Sequence, residues 1–271
     1  MAKHASRSHI GRVYDHNEDS VRCIPDFGLY LVADGMGGHA SGEVASRIAA
    51  DAIVEHRGSM PLTDAVRMAH RAVVSAAGDD ASRKGMGSTV VAAMLENGNL
   101  DVAWVGDSRG YLYRDGALRR ITRDHSLVNL LLDRKEVTEA EAHRHPQKNV
   151  ITQTLGHGDP TPSQTTLTLR RGDRVLLCSD GLNDELTDAD IGEVLADGLD
   201  LDAAVATLVD QALAKGGRDN ISAVLIECEA ADVASVFVRV RSASWWPALL
   251  GIGMAVVAAS VVLVMKSMGW F

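Results

Sequence analysis

The chain has 271 residues, 46% of them hydrophobic and 23% charged, enough for one large domain or two small ones with a substantial core. Its formal net charge of −9 leaves no basic excess to replace phosphate counterions, which argues against a nucleic-acid-binding protein. Cys23, Cys178 and Cys228 are few, odd in number and far apart, so neither a disulfide framework nor a zinc site is indicated, and a reducing cytosol suits them.

Met1 to Ser8 is short and polar with no apolar segment behind it, so no secretory signal is expected. His9 to Val13 and Ser20 to Ile24 read as short strands around the polar loop Tyr14 to Asp19. Leu29 to Val32 is a short, β-prone apolar run and reads as a buried strand ending in Asp34. Gly35, Gly37 and Gly38 then allow a tight turn that brings a backbone carbonyl close to whatever Asp34 binds. Ser41 is the expected N-cap of a helix whose Val44, Ala45, Ile48, Ala49, Ala52 and Ile53 recur at helical spacing. A second helix is expected from about Pro61 to Ala77, with Ala65, Val66, Ala69 and Val73 on its apolar face.

From Gly87 to Thr122 the texture is that of hairpins: strands Ser88–Glu96, Leu100–Val105 and Tyr111–Arg114, with turns at Asn97-Gly98-Asn99, Gly106-Asp107-Ser108-Arg109 and Asp115-Gly116. An antiparallel meander of this kind disfavours a doubly wound parallel sheet. His125 to Leu155 is irregular, with a short apolar helix near Leu127 to Leu132. Its Glu139, Glu141, His143 and His145 read as a solvated helix face rather than a metal site. Val175 to Cys178 is a buried strand leading into Ser179-Asp180-Gly181. Helices are expected over Asp188–Ala196 and Leu201–Lys215, with Gly216 as a stop, and a last strand over Ile221–Cys228. Ala230 to Ser244 reads as a juxtamembrane linker. Trp245 to Met265 carries no charge and at helical rise reaches roughly 30 Å, enough to cross a bilayer. Trp245 and Trp246 at one end, with Lys266 and Trp270 in the short tail 266–271, resemble interfacial anchors. Arg239 and Arg241 place the large domain on the cytoplasmic side, as a single-pass inner-membrane protein.

Four turns share one design, an acid beside an apolar strand: Asn17-Glu18-Asp19, Asp34-Gly35, Asp180-Gly181 and Asp219-Asn220. Asp107 in Gly106-Asp107-Ser108 resembles them. If the strand ends converge, these carboxylates repel one another and hold protons unless a cation neutralises them. Oxygen-only ligation suits Mg²⁺ or Mn²⁺.

Asn17-Glu18-Asp19, Asp34-Gly35-Met36-Gly37-Gly38-His39, Gly87-Ser88-Thr89, Gly106-Asp107-Ser108-Arg109, Ser179-Asp180-Gly181 and Gly217-Arg218-Asp219-Asn220 occur in this order. In that respect the chain resembles the bacterial PPM-type metal-dependent serine/threonine phosphatases (type 2C) from about Ser8 to Glu229. The resemblance implies an α+β fold, a four-layer α-β-β-α sandwich with two central antiparallel sheets, here followed by the C-terminal transmembrane helix. The domain layout is then a phosphatase domain over 1–229 with a flap at about 125–155, a linker over 230–244 and a membrane helix over 245–265. It also implies two Mn²⁺ or Mg²⁺ ions and a third, weaker site. By the same resemblance Asp34 bridges the two ions, Gly35 ligates through its carbonyl, and Asp180 and Asp219 hold one ion and Glu18 the other. Asp19 orders metal-bound water, and Asp107 matches the third site. Asp34, Asp180 and Asp219 are thus the expected catalytic residues. A hydroxide shared by two ions needs no side-chain nucleophile and no covalent intermediate. The implied partners are phosphoproteins, substrates of a serine/threonine kinase.

The chain departs from the family pattern at Tyr14, where relatives usually carry an arginine that grips the phosphate. A phenol cannot form a charged bidentate fork, so weaker phosphate binding is expected. Strand alternation would point Arg12 to the same side as Tyr14. Met36 stands where some relatives have a histidine proposed as general acid, which leaves metal-bound water to protonate the leaving group. Two other readings compete: a catalytically weak phosphatase-like module that binds phosphoproteins at the membrane, and a hydrolase of small phosphate esters.

Overall fold

The apolar runs are strands buried on both faces, in a computed structural model that describes residues 2–38, 41–138, 141, 142 and 144–229. Strands β1 (Ala2–His9), β7 (Arg109–Arg114), β8 (Ala117–Arg120), β10 (Arg174–Cys178) and β11 (Ile221–Cys228) form one sheet in the order β1-β11-β10-β7-β8. The other sheet has the order β2-β3-β5-β6-β9, made of β2 (Asp19–Ile24), β3 (Leu29–Met36), β5 (Val90–Glu96), β6 (Asn99–Val105) and β9 (Ser163–Thr168). A short β4 (Gly87–Ser88) pairs with the end of β3. Every pairing is antiparallel, as the hairpin texture predicts.

The period-two alternation of these strands builds three apolar layers. Tyr30, Val32, Val91 and Trp104 face Leu112, Val175, Leu177 and Val224 between the sheets. Leu29, Leu31 and Ala33 turn the other way, onto helices α1 (Ser41–Glu55) and α2 (Leu62–Asp79). Leu176, Cys178, Ala223 and Leu225 pack on helices that the chain adds later, α5 (Asp188–Ala196) and α6 (Leu201–Lys215). Between lie α3 (Leu127–Asp133) and a four-residue helix α4 (Asp180–Asn183). The layers therefore run helix, sheet, sheet, helix. α2 buries Ala65, Val66, Ala69 and Val73, the face its spacing predicts.

Some expectations are corrected. The first strand is Ala2–His9, not His9–Val13; its polar alternation belongs to an edge strand paired only with β11. Residues 11–13 form a turn with Gly11 at φ +81°, so strand alternation does not align Arg12 with Tyr14. Asp34 lies inside β3 rather than at its end, because Gly35 and Met36 pair with Ser88 and Gly87. Ser41 is the first residue of α1, and its hydroxyl donates to the Ser82 carbonyl instead of capping. The edge strand β9, Ser163–Thr168, carried no apolar run to announce it. The expected linker, membrane helix and tail over 230–271 lie outside the described residues, as do His39, Glu139 and His143. No helix among the described residues is long and apolar enough to cross a membrane.

Candidate metal centre

Antiparallel register sets Asp19 of β2 directly opposite Asp34 of β3. The Asp34 backbone is pinned from one side: its carbonyl accepts from Thr89 N at 2.8 Å and Ser88 Oγ at 3.0 Å. Its N–H reaches Thr89 Oγ1, which shares a 2.7 Å bond with Ser108 Oγ in the turn that holds Asp107. The first sheet contributes from the opposite side. Ser179, at the end of β10, donates its hydroxyl to Asp19 Oδ2 at 2.8 Å and accepts from Ser222 N at 2.9 Å. That hydroxyl occupies the N-cap position of α4 yet makes no cap bond, so it is committed to Asp19. Asp180 follows at once, and its carboxylate is within hydrogen-bond reach of the Asp34 carboxyl. Asp219 leads into β11 and accepts from Asn220 N at 2.7 Å.

Glu18 is fixed at three atoms. Its N–H donates to Asn220 Oδ1 at 2.7 Å, its carbonyl accepts from Gly35 N at 3.1 Å, and its carboxylate accepts from Gly42 N. Gly35 and Gly42 permit this close approach: a Cβ on Gly35 would strike the Gly42 carbonyl, and one on Gly42 would strike the Glu18 carboxylate.

Electrostatics follows from crowding. Burial first, then repulsion from Asp180, Asp19, Asp107 and Asp219, pushes Asp34 well above the usual carboxylate range. Asp107 rises for the same reasons, burial and then Asp180 and Asp124. Burial likewise raises Asp180, Asp219 and Glu18. It raises Asp19 too, there partly offset by the Ser222 and Ser179 hydroxyls. Among the described residues no lysine or arginine forms an ion pair with Asp19, Asp34, Asp107, Asp180 or Asp219. The adjacent arginines are committed elsewhere: Arg109 grips Asp124 through Nε and Nη2 at 2.7–3.1 Å, and Arg218 grips Glu185.

Three buried carboxylate oxygens, Asp19 Oδ1, Asp107 Oδ1 and Asp180 Oδ1, have no hydrogen-bond partner. Orphaned anionic acceptors of this kind fit a hard divalent cation, and the donor set is all oxygen. As the side chains stand, no three His, Cys, Asp or Glu among the described residues already enclose a metal position. The structure thus brings Glu18, Asp19, Asp34, Gly35, Asp107, Asp180 and Asp219 to one rim. A cavity of about 810 Å³ opens beside them, bordered by Asp107, Asp180, Arg120, Lys148 and Asp184.

These features have relatives. A family model described as protein phosphatase 2C matches residues 6–226. The chain belongs to the protein phosphatase 2C family. The serine/threonine protein phosphatase PstP of Mycobacterium tuberculosis is 38% identical over 234 residues, which cover 84% of this chain and 45% of that protein. The chain thus spans less than half the length of this relative. A crystal structure of the same phosphatase is similar with a TM-score of 0.79 and 39% identity, over 84% of this chain and 99% of that one. A structure of the PstP catalytic domain in complex with two manganese ions gives a TM-score of 0.76 and 36% identity, over 84% and 99%. The serine/threonine phosphatase stp of Listeria innocua is 34% identical over 236 residues, 82% of this chain and 94% of that protein.

Within the 2C-family fold, two neighbours of the centre carry no role in the motif reading. Asp184, the C-cap of α4, is close enough to raise Asp180 and Asp219, and it accepts from Asn149 Nδ2 at 3.1 Å. Asp124, 8% exposed, pairs with Arg109 just ahead of His125. The Asp-rich spacing pointed to the acids but not to these supports. Cys178 is fully buried and its thiol is pushed up to about 12, so it supplies no thiolate nucleophile.

Proposed function

We propose that the chain is a metal-dependent serine/threonine protein phosphatase that hydrolyses phosphoserine and phosphothreonine, held at the inner face of a membrane by its C-terminal stretch. The observation that carries the catalytic reading is the trio of buried, unpartnered oxygens on Asp19, Asp107 and Asp180, delivered by separate elements with no cationic side chain among them. Asp34 with the Gly35 carbonyl, Asp180 and Asp219, and Glu18 would hold two Mn²⁺ or Mg²⁺ ions, with Asp107 at a third site. When bound, such ions acidify water and supply positive charge to the phosphoryl oxygens.

The chain's own groups do the rest. Asp19, held by the Ser179 hydroxyl, keeps a free oxygen to accept a hydrogen bond from water at the rim. The Ser179 and Ser108 hydroxyls beside the acids are fully buried and bonded to Asp19 and Thr89, which argues against either as the site of a phosphoenzyme. Attack by water without a covalent intermediate is the reading this supports.

Manganese-dependent hydrolysis of p-nitrophenyl phosphate by the full chain tests it, and Asp180→Ala is expected to lower kcat by about 100-fold or more. Phosphopeptide binding without turnover would instead support the phosphatase-like binding module, and preference for nucleotides or sugar phosphates the small-ester hydrolase. Anchoring rests on the uncharged run Trp245 to Met265. Release of the full chain from membranes by an alkaline carbonate wash would remove that part of the proposal.

A further inference from the structure

Asn220 enters the motif only as the neighbour of Asp219, but its side chain is 5% exposed and fully engaged. Oδ1 accepts from Glu18 N at 2.7 Å, while Nδ2 donates to the carbonyls of Ile10 at 2.8 Å and His16 at 3.2 Å. Its own N–H holds Asp219 Oδ1, and its carbonyl lies 3.5 Å from the Ser179 hydroxyl that supports Asp19. Only an amide offers one acceptor and two donors from a single planar group. An aspartate would set one oxygen against two carbonyls, and an apolar residue would leave an N–H and two carbonyls unpaired.

The position of this amide matters more than its count of bonds. Glu18's other two ties, to Gly35 N and Gly42 N, run to the second sheet and α1. Asn220 immediately precedes β11 of the first sheet. The loop between, Ile10 to Asn17, has no strand pairing; Arg12 N donates to the Gly217 carbonyl and Asn17 Nδ2 to Ser8 Oγ, both at 2.7 Å, and its other ties are local, Gly11 N to His9 Nδ1 and Asp19 N to Asn17 Oδ1. Asn220 therefore spans the seam between the half of the centre built on Glu18 and the half built on Asp219.

We propose that Asn220 is a positioning residue that couples these two halves, so that the two ions load as a pair rather than independently. This rests on the metal-centre reading above. The test is Mn²⁺ titration of the full chain, followed calorimetrically and by electron paramagnetic resonance, for the wild type, Asn220→Ala and Asn220→Asp. Wild type is expected to show two ions and the spectrum of a spin-coupled pair. Both variants are expected to keep the first ion and to bind the second about tenfold more weakly, with isolated-Mn²⁺ lines in place of the coupled spectrum.

A coupled pair at wild-type affinity in Asn220→Ala overturns the inference, and so does equal weakening of both ions, which marks general distortion. If circular dichroism shows these variants unfolded, Asn17→Ala decides, since it loosens the same loop at a half-exposed tie. It should weaken the second ion by about threefold and leave the first unchanged, and an unchanged second ion overturns the coupling. Failure of the wild type to bind an ion pair sinks the metal-centre reading itself, whereas paired binding in wild type and variants alike sinks only the coupling.

Discussion

At the scale of single residues, the centre is held by small polar side chains. Ser88 and Thr89 fix the Asp34 backbone, Ser179 fixes Asp19, and Asn220 fixes Glu18. Asp19, Asp107 and Asp180 each keep one unpartnered carboxylate oxygen. Tyr14 adjoins this rim and offers an anionic substrate no positive charge. It is 51% exposed, and its phenol is held above its ordinary value chiefly by the Asp219 carboxylate, then by burial and by Glu18, Asp180 and Asp34. A guanidinium there would face the same carboxylates and offer a charged fork to a phosphate. Tyr14→Arg is therefore expected to lower KM for a phosphopeptide by roughly tenfold, the worth of about 1.5 kcal/mol for a charge-assisted hydrogen bond, with kcat little changed. Steady-state kinetics decide it, and an unchanged or higher KM speaks against this account.

At the scale of elements, one carboxylate joins the two helices behind the first sheet. Asp190 closes a capping box with Thr187 at the start of α5 and also takes Lys215 Nζ of α6 at 2.8 Å. The Lys215 bond first, then the Thr187 bonds, hold its carboxyl down at about 2, below the ordinary 3.8. A folded value depressed in this way contributes stability above the unfolded value and loses it as pH falls through the folded one. The gap in urea midpoint between wild type and Asp190→Asn should thus be constant from pH 7 to 5 and shrink between about pH 4 and pH 2. The acid centre is common to both proteins and cancels. A gap that stays constant down to pH 2 would show that the charge of Asp190 contributes nothing.

At the scale of the whole molecule, each sheet supplies part of the acid set. Asp19 and Asp34 belong to the second sheet, Asp180 and Asp219 adjoin β10 and β11 of the first, and Asp107 sits in the turn from β6 to β7, where the chain crosses between sheets. Three apolar layers hold these like charges together, so a divalent ion that binds only the folded state stabilises the whole domain. At Mn²⁺ about 100 times its dissociation constant the gain is about 2.7 kcal/mol, or a rise in Tm of about 5–10 °C. Scanning calorimetry with Mn²⁺ and with chelator reads it, and Asp34→Asn should remove most of the rise. A wild-type Tm indifferent to Mn²⁺ contradicts the reading.

Much of this was legible in the chain itself. Leu29 to Val32 and Val175 to Cys178 announce strands buried on both faces because unbroken apolar runs of that length have no polar side to show water. The bounds of α5, α6 and β11 coincide with their predicted ones, since caps and helical spacing are local signals. Edge strands were not legible: β9 is rich in hydroxyls, and its ladder partner β6 is 58 or more residues away. Nor could composition tell that Asn220 would clasp Glu18, 202 positions earlier, or that Asp19 would stand across from Asp34. The acids are encoded by residue type and by their place beside apolar runs. Which of their oxygens face one another is decided by strand register and by the packing of one sheet on the other, and these are properties of the folded chain alone.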